Sequence, residues 1–168
     1  MVSGSLREAW PEISQDMMSI PWTKLLDCLT ERFIPGEQSI HGPTHWLRVE
    51  QFGLRLAKLT DGADIEVVRL FAIFHDAERW DDLSDLDHGP RAARLVQSVH
   101  DDWFTVSAGQ LELLIVACRD HTNGDTTSDP TIGCCWDADR LDLPRVGISP
   151  HRDFMSTQAG KALAHWRS

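Results

Sequence analysis

Tyrosine is absent from the chain, and cysteine occurs only at Cys28, Cys118, Cys134 and Cys135. No two of these stand in a C-x-x-C pair, so neither a zinc ribbon nor a thioredoxin-like motif is supported. They read as reduced, mostly buried thiols of a cytoplasmic protein, with the adjacent Cys134 and Cys135 a minor redox-sensitive candidate. No uninterrupted apolar run approaches a membrane span, and the first residues lack a basic stretch followed by an apolar core. No membrane partner is expected. Basic residues are scarce: 16 Lys and Arg against 26 Asp and Glu give a formal net charge of -10. Cationic side chains must displace counterions to bind a nucleic-acid scaffold, so that partner is excluded too. A small anion held by a few local cations or metals is not. Glycine-rich phosphate loops, basic stripes and base-stacking motifs are missing, and the 7 Trp are scattered in a way that suits packing better than a ligand cage.

What is present is a chain of 168 residues, 42% of them hydrophobic, which suits one domain with a substantial core. Successive segments carry apolar residues at helical spacing, punctuated by Gly, Pro and Asp. Trp22 to Phe33 shows Leu25, Leu26, Leu29 and Phe33 on one face before Pro35-Gly36. Gly42-Pro43-Thr44 opens a helix with the stripe Trp46, Val49, Phe52, Leu56 and Leu59. Asp64 is placed as an N-cap for an almost continuously apolar run, Val67 to Phe74, which should be central in the fold. An acidic connector, Trp80 to Asp87, leads to a helix from Gly89-Pro90 to about His100. Ser107 can cap the next, to about Arg119; further helices are expected from about Thr131 to Leu143 and from about Thr157 to His165. No segment alternates as a strand would. The reading is all-α: a compact single-domain helical bundle over 21–168, preceded by a polar arm over 1–20.

Five short clusters place metal-ligand residues on helices or at their ends: His41-Gly42-Pro43-Thr44-His45, His75-Asp76, Asp87-His88-Gly89-Pro90, Arg119-Asp120-His121 and Asp137-Ala138-Asp139-Arg140. Imidazole and carboxylate suit Fe, Mn, Co, Ni or Zn. Ionisable groups at the end of a buried helix are costly unless paired or metal-bound, and His75-Asp76 follows the apolar run Phe71 to Phe74. A single histidine near a helix terminus is ordinarily a cap or a satisfied core residue, and that reading is preferred for His100, His151 and His165. For His75-Asp76 taken alone, structural pairing and metal binding stand equal. The joint pattern changes the balance.

The order His45, His75-Asp76, His88, His121, Asp139 resembles the HD superfamily of helical metal-dependent proteins, over about residues 41 to 143. Thr44-His45-Trp46-Leu47-Arg48-Val49 looks like its first-histidine helix, Ala72-Ile73-Phe74-His75-Asp76 like its apolar lead into the HD pair, and His88-Gly89-Pro90-Arg91-Ala92-Ala93 like its later histidine opening a helix. Asp137-Ala138-Asp139-Arg140-Leu141-Asp142 looks like its closing segment, in which the second Asp of D-x-D is the ligand. The resemblance implies that His45, His75, Asp76 and Asp139 bind a first ion. It further implies that His88 and His121 serve a second, with Asp76 shared between one or two divalent transition-metal ions. Arg79 stands where dinuclear members often carry Lys and many mononuclear nucleotidases carry Glu. The HD-GYP signature is missing, since His121-Thr122-Asn123-Gly124-Asp125 lacks Gly-Tyr-Pro.

Such a centre implies a metal-dependent phosphohydrolase acting on a small phosphorylated molecule, a nucleotide among the candidates. Asp76 and Asp120 are the expected catalytic carboxylates, Asp120 by orienting water or a histidine. Arg140 is the first candidate for stabilising phosphate charge, followed by Arg48 and Arg79, with His41 as a further substrate contact. For Arg48 and Arg79 a surface ion pair is at least as good a reading, and Asp120 reads equally as a plain helix-end residue. Two other functions remain open: a di-iron oxygenase of the HD type, and a non-catalytic binding module stabilised by its metal. Length and charge allow a monomer or a homodimer equally.

Overall fold

A computed structural model describes residues 20–164. The arm expected over 1–20 lies outside these apart from Ile20, as does His165. The leucine spacing that marks the first segment becomes the buried face of α1 (Trp22–Arg32), where Leu25, Leu26 and Leu29 are buried. The chain turns at Gly36, whose φ of 84° lies in the left-handed region that glycine enters without steric cost. Pro43 occupies the first position of α2 (Pro43–Lys58), where a missing N–H costs nothing. Trp46, Val49 and Leu56 line its buried face, but Leu59 lies beyond the helix end and is 64% exposed. Its place in the stripe is corrected accordingly.

Helix α3 (Ile65–Phe74) is capped as expected, with the Asp64 carboxylate accepting from Glu66 N at 3.0 Å and Val67 N at 3.1 Å. Every residue from Val67 to Phe74 is buried, and α3 packs against α2, α5 and α6, which makes it the central helix. One of those residues is Arg69, neutralised by Glu50 of α2 at 2.6 Å and stacked over Trp22 at 4.0 Å. Burial raises the Glu50 carboxyl, and the Arg69 guanidinium draws it back.

Helix α4 (His88–Val99) begins one residue earlier than the glycine-proline signal suggests, which puts His88 in its first turn. It lies along α5 (Ala108–Asp120), opened by a capping box in which Ser107 and Gln110 satisfy each other's backbone N–H groups. Helix α6 (Pro130–Leu141), capped by Asp129, ends two residues short of the expected Leu143. The chain tightens instead into 3-10 turns at Leu143–Val146 and Arg152–Phe154 before α7 (Gln158–Ala164). Among the described residues there is no strand, only an isolated bridge between His100 and Phe104. No helix there is long and apolar enough to cross a membrane. Cys118, Cys134 and Cys135 are buried free thiols, and burial pushes Cys134 up to about 11, which suppresses the reactive thiolate.

Candidate metal centre

The apolar face of α3 carries its last residues into the core, so the chain must dispose of His75 and Asp76 in a nearly dry place. His75 is fully buried, stacked on Phe71 with ring centroids 4.8 Å apart. Its Nδ1 lies 3.2 Å from Phe71 O and 3.1 Å from Ala72 O, carbonyls of its own helix end. Only an Nδ1–H can make those contacts, so Nε2 carries a lone pair. The other three buried histidines repeat the device. His45 Nδ1 donates to Asp142 Oδ2 at 2.7 Å, His121 Nδ1 to Cys118 O at 2.7 Å, and His88 Nδ1 to Asp85 O.

The four Nε2 atoms therefore face inward in two pairs, His45 with His75 at 3.1 Å and His88 with His121 at 3.0 Å. Two lone pairs cannot hydrogen-bond each other at that distance. Either protons or cations must lie among them.

Asp76 divides the pairs between its two oxygens. Oδ2 lies 3.6 Å from both His45 and His75 Nε2, while Oδ1 lies 3.1 Å from His88 and 3.5 Å from His121. Asp139, partly buried, adds Oδ1 at 3.3 Å from His45 and 3.7 Å from His75. Three overlapping groups have atoms close enough to share an ion: His45, His75 and Asp139; His75, Asp76 and His121; and His41, His45 and Asp76. The donor set, imidazole nitrogen with carboxylate oxygen, fits a divalent transition metal.

The buried imidazoles and carboxylates shift one another's protonation. Burial alone would raise the Asp76 carboxyl, yet the imidazoles of His75, His121, His41 and His88 hold it well below the usual range. Asp139 is held down likewise, mainly by His45 and His75. Burial pulls His45 and His121 down, but their carboxylate neighbours more than reverse this and raise both. His75 is driven by burial to about 3. His45 and His121 therefore bind a proton more readily than a free imidazole, so a metal competes with protons for their Nε2 atoms.

A pH dependence follows for metal-free protein. The stability from His45 and His121 is complete below about pH 6.5 and is lost as pH rises through their higher folded values. His75 stays neutral when folded, so stability drains away as pH falls from about 6.5 towards about 3 while the unfolded chain takes up the proton. Asp76 and Asp139 add to that acid loss below about pH 3.8. The melting temperature of chelated protein is expected to peak near pH 6.5, and metal loading should move the peak upward. Thermal melts between about pH 4 and about pH 9 check this; a rise of the chelated protein to the alkaline end would contradict it.

All six sequence-predicted ligand residues are brought together. The outer candidates divide. His41 reaches the cluster, its Nδ1 at 2.9 Å from Asp76 Oδ2. Arg79 is buried beside it, with Nε 3.8 Å from Asp76 Oδ1. Arg48 instead pairs with Asp142 at 2.7 Å, steadying the carboxylate that orients His45. Arg140 requires correction as a phosphate contact: it is buried, donating to Phe154 O and, at 2.7 Å, to Asp125 O, so it braces two loops. Asp120 stands as the plain helix-end residue that the sequence equally allowed. It is engaged by Arg119 through two hydrogen bonds of 2.9 and 2.7 Å, and Asp142, not Asp120, supports a cluster histidine. Asp142 went unassigned in the sequence, although its position one turn after Asp139 on the closing segment was a usable signal. Asp137 turns away to accept from Ser156 N at 2.7 Å and Thr157 N at 2.8 Å, anchoring α7.

Fold and site together define a class: an all-helical domain whose core helix ends in a buried histidine–carboxylate centre able to hold metal ions. The fold is that of the HD domain. A crystal structure described as a predicted HD superfamily hydrolase from an uncultured Thermotogales bacterium matches with a TM-score of 0.68 at 21% identity, over 86% of this chain and 83% of that one. At this identity the likeness is one of fold. No family model matches the sequence, and no curated protein does.

Proposed function

We propose that the protein is a metal-dependent phosphohydrolase acting on a small phosphoester, with nucleotides among the candidates. The observation that carries this reading is the set of four imidazoles whose Nδ1 atoms are all tied to oxygen, leaving inward Nε2 lone pairs on both sides of Asp76. His45, His75, Asp76 and Asp139 would hold a first ion; His88 and His121 would hold a second, sharing Asp76. Divalent ions at such a centre lower the pKa of water and offset phosphate charge. The likeness in fold to a predicted hydrolase agrees with hydrolysis. The protein residues contribute pre-organisation: Asp142, the α3 carbonyls, Cys118 O and Asp85 O fix each ring before any ligand arrives.

The test is anaerobic reconstitution with Mn, Co or Fe, followed by a broad phosphoester panel read by phosphate release. Turnover is expected without oxygen and absent from a His75→Ala control. Phosphate release no greater than in that control would overturn the reading, and product formed only with iron in air would replace it with the oxygenase.

A further inference from the structure

The charged groups around the ligand set, outside it, carry a selectivity that rests on the phosphoester reading and extends it. Arg79 is 7% exposed, and its Nε has no hydrogen-bond partner. Its Nη1 approaches His88 Nδ1 at 3.5 Å, but that nitrogen already donates to Asp85 O and so is no acceptor. Asp76 Oδ1 offsets the guanidinium's charge from 3.8 Å but lies beyond hydrogen-bond reach of Nε, so that buried donor stays open to a second anion.

On the opposite side stands Arg145, which the sequence reading passed over. Its Nε donates to Ile40 O at 3.0 Å and its Nη1 to Asp142 O at 3.2 Å, which fixes the plane of the fork. Its Nη2 is left 3.3 Å from His41 Nδ1, the atom that lies 2.9 Å from Asp76 Oδ2. One ring nitrogen cannot both donate to Asp76 and accept from Arg145. With the proton on His41 Nδ1, the Arg145 Nη2 has no acceptor there either. A cationic arm therefore stands at each end of Asp76, Arg79 on the Oδ1 side and Arg145 on the Oδ2 side.

The local charge balance says what these arms would receive. Arg79 stands beside Asp76, and Arg48 and Arg145 beside Asp142. These guanidiniums equal the carboxylates of Asp76, Asp139 and Asp142 in number, although Asp139 meets His45 and His75 rather than an arginine; Asp85 is matched by Arg91. Every divalent ion added to that balance is uncompensated positive charge, which a doubly charged anion offsets better than a singly charged one.

We propose that Arg79 and Arg145 form a two-armed clamp that selects phosphate groups carrying two negative charges, the terminal phosphate of a monoester, over the singly charged phosphate of a diester. The test uses the full chain loaded with Mn and two non-hydrolysable probes, methylphosphonate and its monomethyl ester, titrated calorimetrically at about pH 8.5, where the first carries two charges and the second one. The dianion should bind at least about tenfold tighter. Arg145→Gln should cut that ratio severalfold with metal per chain unchanged by elemental analysis, and Arg145→Lys should restore part of it, which a mere brace for the Ile40–His41 loop would not do. Arg79→Gln should act in the same direction; should it fail to fold, the Arg145 pair decides alone. Equal affinities in the parent protein, or an unchanged ratio in Arg145→Gln, would overturn the clamp while bound metal left the phosphohydrolase reading standing. Absence of bound metal in the parent would bring down both.

Discussion

Asp76→Asn should empty both ion positions at once, leaving metal at background by elemental analysis and lowering phosphoester turnover by roughly a thousandfold or more, about 4 kcal/mol of transition-state stabilisation. The size follows from how the carboxylate is shared. Its Oδ2 faces the His45–His75 pair and its Oδ1 faces the His88–His121 pair. A neutral amide of the same shape keeps the packing, but it withdraws the charge from both subsites and presents an N–H₂ to one of them. His88→Ala is the informative contrast: it removes one donor from the Oδ1 side alone, so one ion should remain with His45, His75, Asp76 and Asp139. Full metal content in Asp76→Asn would show that the carboxylate bridges nothing.

Gly89→Ala should be the second large effect, and it acts through the backbone. A Cβ at Gly89 would lie 2.7 Å from Arg119 O and 2.9 Å from Cys118 O, both main-chain atoms in the last turns of α5. Neither can move aside unless α4 and α5 separate. Overpacking of this kind costs about 1–3 kcal/mol, a fall of roughly 2–12 °C in melting temperature for a domain of this size. Cys118 O is also the carbonyl that orients His121, and His88 is the neighbour of Gly89 in the chain. The same substitution should therefore spread the His88–His121 pair and cost one ion per chain while the His45–His75 side keeps its own. Gly109→Ala, early in α5 with nothing within 4 Å of the added carbon, is the control and should leave stability unchanged or slightly higher. Thermal melts with metal analysis of the two variants check both halves, and a Gly89→Ala protein as stable and as metal-rich as the parent would refute them.

Much of this centre was readable along the chain because its ingredients are local. The apolar run Val67 to Phe74 announced a central helix, and a core helix ending in His75-Asp76 announced ionisable groups in a dry place. Asp64 and Ser107 announced their helix starts through side chains that bond N–H groups two or three residues on. Arg140 was misread for an equally local reason. Adjacency to Asp139 suggested a shared destination, but successive residues on an α-helix diverge by about 100°, so one neighbour meets the cluster and the other turns to Phe154 and Asp125. Asp120 takes the helix-end reading that its position equally allowed, paired with Arg119 beside it.

By itself the sequence determined the helices, the central place of α3 and the supply of imidazole and carboxylate at their ends, since apolar period and capping are written within a few residues of one another. Only the tertiary structure decided which nitrogen of each ring points inward. That choice depends on an acceptor at the other nitrogen, and for His45 the acceptor is Asp142, 97 residues away. It also decided that Arg145 reaches back 105 residues to Ile40 and stands beside His41, while Arg140 spends its hydrogen bonds on Phe154 and Asp125. Hydrogen bonds of a few ångströms between distant segments exist only after the helices have packed, so no reading of neighbours along the chain could have assigned them.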